Sequence, residues 1–89
     1  MVRLEVFSGD PPCPGCVALV ELAERVADRY QGELDLTVYK GVDGLEKFEA
    51  YRLFCVPAAV VNGSVRIEGM CPSEATLNNA LREGGLCLR

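Results

Sequence analysis

Two cysteines separated by two residues stand near the beginning of the chain, in the stretch Cys13-Pro14-Gly15-Cys16. Residues 2–8 before them alternate like a β-strand, and residues 14–30 after them follow a helical pattern. Pro14 suits the first position of a helix, where the N–H that proline lacks has no partner to lose. The sequence therefore predicts that Cys13 is the N-cap of a helix that follows directly on a strand.

The rest of the chain predicts three more strands and two more helices. The patterns give a strand over 34–39, a shorter helix from 45 to about 54, strands over 58–61 and 65–68, and a last helix that Pro72-Ser73-Glu74 opens and Gly84-Gly85 ends. Asn62-Gly63 is a strong hairpin signal between the last two strands. A right-handed crossover makes the first two strands parallel. We therefore expect an α/β fold of order β-α-β-α-β-β-α, with a four-stranded mixed sheet flanked by three helices in one domain spanning residues 1–89.

Composition excludes several functions. The net charge is −4, so no basic footprint for nucleic acid is present. No apolar run approaches the ~20 residues of a membrane span, and the N-terminus lacks the pattern of a signal peptide, so we expect a cytoplasmic protein. The chain has five cysteines and no histidine, which is the commonest catalytic base and metal ligand. Its chemistry is therefore expected to depend on sulfur, and a cytosolic CxxC is more often catalytic or metal-binding than structural.

The element order, the CxxC at a helix start and Val56-Pro57 before the hairpin resemble the minimal thioredoxin/glutaredoxin arrangement over nearly the whole chain. The similarity is greatest to small thioredoxin-like disulfide proteins of archaea and thermophilic bacteria. This resemblance implies a cis Pro57 that packs against the CxxC, and a Val56 backbone that pairs with the substrate chain. Pro14 and Gly15 belong to the same expected docking surface. The implied partners are disulfide-containing proteins and a reductase or dithiol electron donor, with no organic cofactor and a monomeric chain.

Several positions depart from those families. Pro12 precedes the first cysteine where thioredoxins have Trp, and the buried Asp of the first core strand of thioredoxin has no evident match, which leaves Lys40 as a candidate beneath the motif. Asp10 stands where glutaredoxins usually have a Lys that holds a glutathione carboxylate, and its charge would repel that group. Cys55 replaces the Thr that glutaredoxins keep two residues before the proline. These departures argue against glutathione as a direct substrate.

The motif itself predicts thiol–disulfide exchange. The attacking species is the thiolate, and a helix N-terminus directs unpaired N–H groups and the positive end of the helix dipole at the sulfur of Cys13. We therefore expect Cys13 to be the exposed nucleophile. Cys16, one turn into the helix and more buried, is expected to resolve the mixed disulfide. Gly15 leaves the approach to the sulfurs open.

Two other functions remain open at this stage. If Cys55 and Cys71 lie near the pair, three or four thiolates can bind zinc or an iron–sulfur cluster on the same fold. A binding module without catalysis can also use this surface for a partner protein. Cys55 is interpreted as a buried packing residue, with an auxiliary thiol as the alternative. Cys71 is interpreted as packing at a helix entry, and Cys87 as a tail thiol able to oxidise between molecules.

Overall fold

The computed structural model describes residues 1–86 and has the predicted order of elements. These elements are β1 Val2–Ser8, α1 Pro14–Arg29, β2 Leu34–Lys40, α2 Leu45–Ala50, β3 Ala58–Val61, β4 Val65–Glu68 and α3 Glu74–Glu83, with a 3-10 turn at Gly41–Gly44 before α2. The four strands form one sheet of order β2-β1-β3-β4. β1 and β2 are parallel, whereas β1–β3 and β3–β4 are antiparallel, so the predicted α/β fold class is confirmed.

The main core lies between one face of the sheet and helices α1 and α3. Alternation along β1 directs every second side chain to this face, and the apolar stripes of both helices cover it. The predicted stripes are confirmed. The buried residues of this core include Val2, Leu4, Val6, Leu19, Leu22, Ala23, Val26, Tyr30, Leu77, Ala80, Leu81 and Leu86. Cys87 and the rest of the predicted tail lie outside the described residues.

Two local differences from the sequence prediction have simple geometric causes. α2 ends at Ala50 rather than near residue 54, and Arg52 has a φ of 57°, which a right-handed helix does not allow. α3 begins at Glu74, because the side chain of Ser73 caps it by accepting the Thr76 N–H at 3.1 Å. The hairpin turn over residues 62–64 agrees with the predicted strand bounds, and the Ser64 N–H donates to the Val61 carbonyl across it at 3.1 Å.

The other face of the sheet buries a carboxylate among aromatic side chains. Glu5 is only 3 % exposed. The Tyr51 hydroxyl donates to Glu5 Oε1 at 2.6 Å and the Tyr39 hydroxyl donates to Oε2 at 3.1 Å. Arg3 Nε lies 3.5 Å from Oε1. These partners compensate the cost of burying the charge, since a buried carboxylate is tolerated only when it is paired and hydrogen-bonded.

The same contacts raise the pKa of both tyrosine hydroxyls. Burial and the hydrogen bond to Glu5 raise the pKa of Tyr39, and the hydrogen bond to Glu5 followed by burial raises the pKa of Tyr51. The ring of Phe7 stacks on Tyr39 at a centroid distance of 4.9 Å and meets Phe48 edge-on at 5.9 Å. The aromatic side chains around Glu5 therefore form one interlocked cluster. Within residues 1–86, no helix has both the length and the apolar composition that a membrane crossing requires.

We expect Tyr51→Phe to lower the free energy of unfolding by about 1.5–3 kcal/mol, because it removes a hydrogen bond to a buried charged group. Tyr39→Phe should cost less, since its bond to Glu5 is 3.1 Å long against 2.6 Å for Tyr51. Urea unfolding followed by circular dichroism measures both losses. Negligible losses would contradict the contribution of the two hydroxyls to stability, and equal losses would contradict the predicted ranking.

Stability should also fall at alkaline pH. A tyrosine in the unfolded chain loses its proton near pH ~10, and the folded state holds the protons of Tyr39 and Tyr51 more tightly. Because the folded state then binds more protons, the free energy of unfolding decreases as the pH rises above about 10 and through the folded-state pKa values. In the double variant Tyr39→Phe/Tyr51→Phe, this decrease should be shallower in urea titrations made at a series of pH values.

Candidate active site

Cys13 occupies the N-cap of α1, as predicted. Its backbone is extended, with φ −75° and ψ 167°, and Pro14 takes the first helical position. The Cys16 N–H donates to Cys13 Sγ at 3.1 Å, and the Val17 N–H donates to the Cys13 carbonyl at 3.0 Å. Two N–H groups of the first turn of α1 therefore donate to Cys13, one to its sulfur and one to its carbonyl.

The two sulfurs of the motif face each other. Residues three apart on a helix lie on the same side, and the Cys13 thiol donates to Cys16 Sγ across 2.7 Å. Both cysteines are free thiols. Cys13 is partly exposed, whereas Cys16 is fully buried, which is the order of exposure that the sequence predicts.

The end of β1 supplies further contacts to Cys16. The Gly9 N–H points at Cys16 Sγ from 3.5 Å, and the hydroxyl of buried Ser8 also interacts with this sulfur. Burial raises the pKa of the Cys16 thiol, but hydrogen bonds from Cys13, Gly9 and Ser8 outweigh it and leave the pKa below its ordinary value.

Pro57 packs against the motif, as the sequence resemblance implies. The Val56-Pro57 peptide bond is cis, and Pro57 is buried. A Cβ on Gly15 would lie 3.3 Å from Pro57 Cγ and 3.9 Å from Cys13 Sγ. The missing side chain of Gly15 therefore lets the proline approach the sulfur pair.

Val56 lies at the surface beside this contact. Its side chain is 38 % exposed, and the residue precedes β3, which begins at Ala58. Within residues 1–86, neither the N–H nor the carbonyl of Val56 has a hydrogen-bond partner. Its main chain is thus able to pair with an extended segment from another molecule.

The other cysteines do not join the pair. Cys55 is exposed and lies against Gly69, so its interpretation as a buried packing residue is wrong. Cys71 packs against the main core, which confirms its expected role at the entry to α3. Over the described chain, residues 1–86, no three His, Cys, Asp or Glu side chains are grouped to hold a metal ion. The ligand set that the metal hypothesis required is therefore not assembled in this part of the protein.

Sequence reasoning missed two of the groups around Cys16. Ser8 is the last residue of β1 and Gly9 follows it, and the period of two that places Val2, Leu4 and Val6 toward α1 also places Ser8 there. That signal was sufficient to find Ser8. Lys40, named as a candidate beneath the motif, is exposed and lines a cavity of about 190 Å³ together with Cys16 and Glu21.

Comparisons with known proteins agree with this geometry. The family model described as "Thioredoxin domain" matches residues 2–82. Two curated relatives, both named "Probable Thioredoxin", come from Methanothermobacter thermautotrophicus and Methanothermobacter marburgensis. They are 31% and 30% identical over 83 residues, which cover 93% of this chain and 95% of each relative.

Solved structures show the same fold at lower identity. A thioredoxin variant from Halobacterium salinarum has a TM-score of 0.75 at 22% identity, covering 99% of this chain and 78% of that one. A thioredoxin-like protein from Clostridium perfringens has a TM-score of 0.77 at 18% identity, covering 96% of this chain and 71% of that one. With the family model matched over residues 2–82 and relatives aligned over nearly their full length, this chain belongs to the thioredoxin domain family, whose general activity is thiol–disulfide oxidoreduction.

Proposed function

We propose that this protein exchanges thiols with protein disulfides through the Cys13–Cys16 dithiol. The observation that carries the proposal is the pair of free sulfurs 2.7 Å apart at the N-terminus of α1. Pro57 closes one side of this pair, and the unpaired main chain of Val56 lies next to it. Family membership supports the same general reaction.

In the first step, the Cys13 thiolate attacks one sulfur of the substrate disulfide. A bond forms between Cys13 Sγ and that sulfur, and the substrate S–S bond breaks. The second substrate sulfur leaves with the electron pair of the broken bond and takes up a proton. The product is a mixed disulfide between Cys13 and the substrate.

In the second step, the Cys16 thiolate attacks Cys13 Sγ. The Cys13–Cys16 bond forms, the mixed disulfide breaks, and the remaining substrate thiolate leaves and is protonated. The substrate has gained two electrons and the protein has lost two. A reductase or another dithiol protein returns the electrons by the reverse exchange, so no organic cofactor takes part.

The accessibility of the two sulfurs supports the roles proposed for them. Cys13 is partly exposed and accepts the Cys16 N–H at the positive end of α1, where a thiolate is stabilised. Cys16 is completely buried, so a substrate sulfur cannot reach it first. Once Cys13 is bound to substrate, Cys16 is already within 2.7 Å of the sulfur that it attacks.

Val56 and Pro57, with Pro14 and Gly15, form the docking edge of the proposed function. The unpaired N–H and carbonyl of Val56 are the groups that an extended substrate main chain pairs with, as in addition of a strand to a sheet edge. Because Pro57 packs on Gly15, this edge lies close to the Cys13 sulfur. The substrate disulfide is thereby held beside Cys13.

We expect Cys13→Ser to reduce disulfide exchange to the rate of the electron donor alone, because no accessible nucleophile remains in the pair. Cys16→Ser should still attack but should accumulate the mixed disulfide, because no resolving thiol remains. Insulin reduction with dithiothreitol measures the first effect. Intact mass spectrometry of the variant after incubation with a disulfide peptide measures the second.

Cys55→Ser is the matched control, since Cys55 is an exposed thiol one residue before the docking edge. It should retain the activity of the unmodified protein. Full activity of Cys13→Ser would overturn the role assignment. Loss of activity in Cys55→Ser would make Cys55 an auxiliary thiol in the reaction.

The pKa of Cys16 supplies an independent test. In the reduced protein, carbon NMR of the Cys16 Cβ should show a titration midpoint below the ~8.5 of a free cysteine, because its hydrogen bonds outweigh its burial. The pKa of Cys16 is lower in the folded protein than in the unfolded chain. Its thiolate therefore contributes to the free energy of unfolding fully above the unfolded pKa, and this contribution is lost as the pH falls through the folded pKa. Cys13→Ala should raise the midpoint by removing the S–H donor, and an unchanged midpoint would contradict the shared hydrogen bond.

A further inference from the structure

Beside the docking edge, the structure has an apolar cavity that the reaction steps do not use. We infer that this cavity binds one large apolar side chain of the substrate, within two residues of its disulfide cysteine. The substrate class is then an extended protein segment that has an aromatic or large aliphatic residue, and no acidic residue, at this position. This inference rests on the proposed function and specifies which disulfides the protein reduces.

The cavity has a volume of about 240 Å³ and lies on the α2 face of the sheet. The large side chains that line it are Phe7, Tyr39, Leu45, Phe48 and Val56, and Ser8 also lines it. Phe7 is held between Tyr39, stacked at 4.9 Å, and Phe48, edge-on at 5.9 Å. Leu45 is 50% exposed, so an apolar side chain stands open to a partner at the edge of the cavity.

Contacts connect the cavity to the reacting sulfurs. The Gly15 Cβ position is 3.9 Å from Cys13 Sγ and 3.3 Å from Pro57, and Pro57 is bonded to Val56. Val56 Cγ2 in turn lies 3.7 Å from the Gly9 Cβ position, and both residues line the cavity. The cavity is therefore continuous with the docking edge. Residues in an extended chain advance by about 3.3 Å each, so a side chain near the substrate cysteine lies over this edge.

The volume fits one large side chain. A cavity of ~150 Å³ lined by apolar side chains binds a benzene molecule. The present cavity is larger than that and is lined mainly by aromatic and aliphatic groups. It is thus large enough for a phenylalanine, leucine or methionine side chain, and alanine would leave most of it unfilled.

The charged residues around the cavity also favour an apolar substrate side chain over an acidic one. Asp10 packs on Gly41 of the cavity wall, with its Cβ 3.0 Å from the Gly41 Cβ position. Asp43 and Glu46 flank the wall in the 3-10 turn and the first turn of α2. The nearby lysines are directed elsewhere, since Lys40 lines the Cys16 cavity and Lys47 lies over the Tyr51 ring. An acidic substrate residue, or the carboxylates of glutathione, would meet like charge there.

The test uses disulfide-linked peptides that differ only at the residue next to cysteine, which is Phe, Ala or Asp. Reduction by the protein is measured with dithiothreitol as the electron donor, and each rate is divided by the rate with dithiothreitol alone. We expect kcat/KM for the Phe peptide to exceed that for the Ala peptide by about tenfold, as burial of a large apolar side chain predicts. The Asp peptide should be slower than the Ala peptide.

Two variants test whether the preference for the Phe peptide comes from the cavity. Leu45→Ser removes an apolar side chain of the cavity and should bring the Phe/Ala ratio toward one. Phe54→Ser is the matched control, because Phe54 is also a large exposed apolar residue, at 87%, but does not line the cavity. It should keep the ratio of the unmodified protein. Circular dichroism and thermal unfolding check that both variants are folded.

The outcomes separate the two proposals. If the protein reduces the Phe and Ala peptides equally well, the cavity inference fails and thiol–disulfide exchange stands. If Phe54→Ser lowers the ratio as much as Leu45→Ser, the preference is a general surface effect and the inference also fails. If neither peptide is reduced faster than by dithiothreitol alone, the proposed function fails, and the inference that rests on it fails as well.

Discussion

The structure of the site depends on one hydrogen bond, in which the Cys16 N–H donates to Cys13 Sγ. The first turn of a helix leaves N–H groups without partners, and here a sulfur satisfies one of them. The same contact fixes the sulfur at the positive end of α1 and brings the second sulfur to 2.7 Å. Helix initiation and placement of the reacting atoms therefore have the same cause, and Pro14 supports both by starting the helix directly after Cys13.

Features that depend on neighbouring residues could be read from the sequence. The N-cap at Cys13, the stripes of α1 and α3, and the hairpin at Asn62-Gly63 follow from capping, periodicity and turn rules. The cis Pro57 beside the motif required a family resemblance, because no local rule brings residue 57 to residue 15. The Glu5 contacts join residues 34 and 46 positions apart, and no periodic pattern identifies such partners. The exposure of Cys55 likewise could not be predicted from its residue type, since free cysteines are among the residues most often buried.

The two faces of the sheet carry different parts of the proposed function. The face under α1 and α3 supports the sulfurs through Ser8 and the buried core. The face under α2 holds the aromatic cluster and the apolar cavity. Val56 lies where both reach the surface, so a substrate segment bound there contacts the reacting sulfur and the cavity together. In this arrangement the chemistry and the choice of substrate can change by separate substitutions.

The buried carboxylate of Glu5 has a consequence for recognition, although no substrate reaches it. Its bonds connect β1 to Tyr39 on β2 and to Tyr51 after α2, and Tyr39 is also a wall of the apolar cavity. The wall is thus immobilised before any ligand arrives, and a binding surface that is already ordered loses less conformational entropy on association. Glu5 therefore affects how strongly the cavity binds an apolar side chain, although Glu5 itself does not contact that side chain.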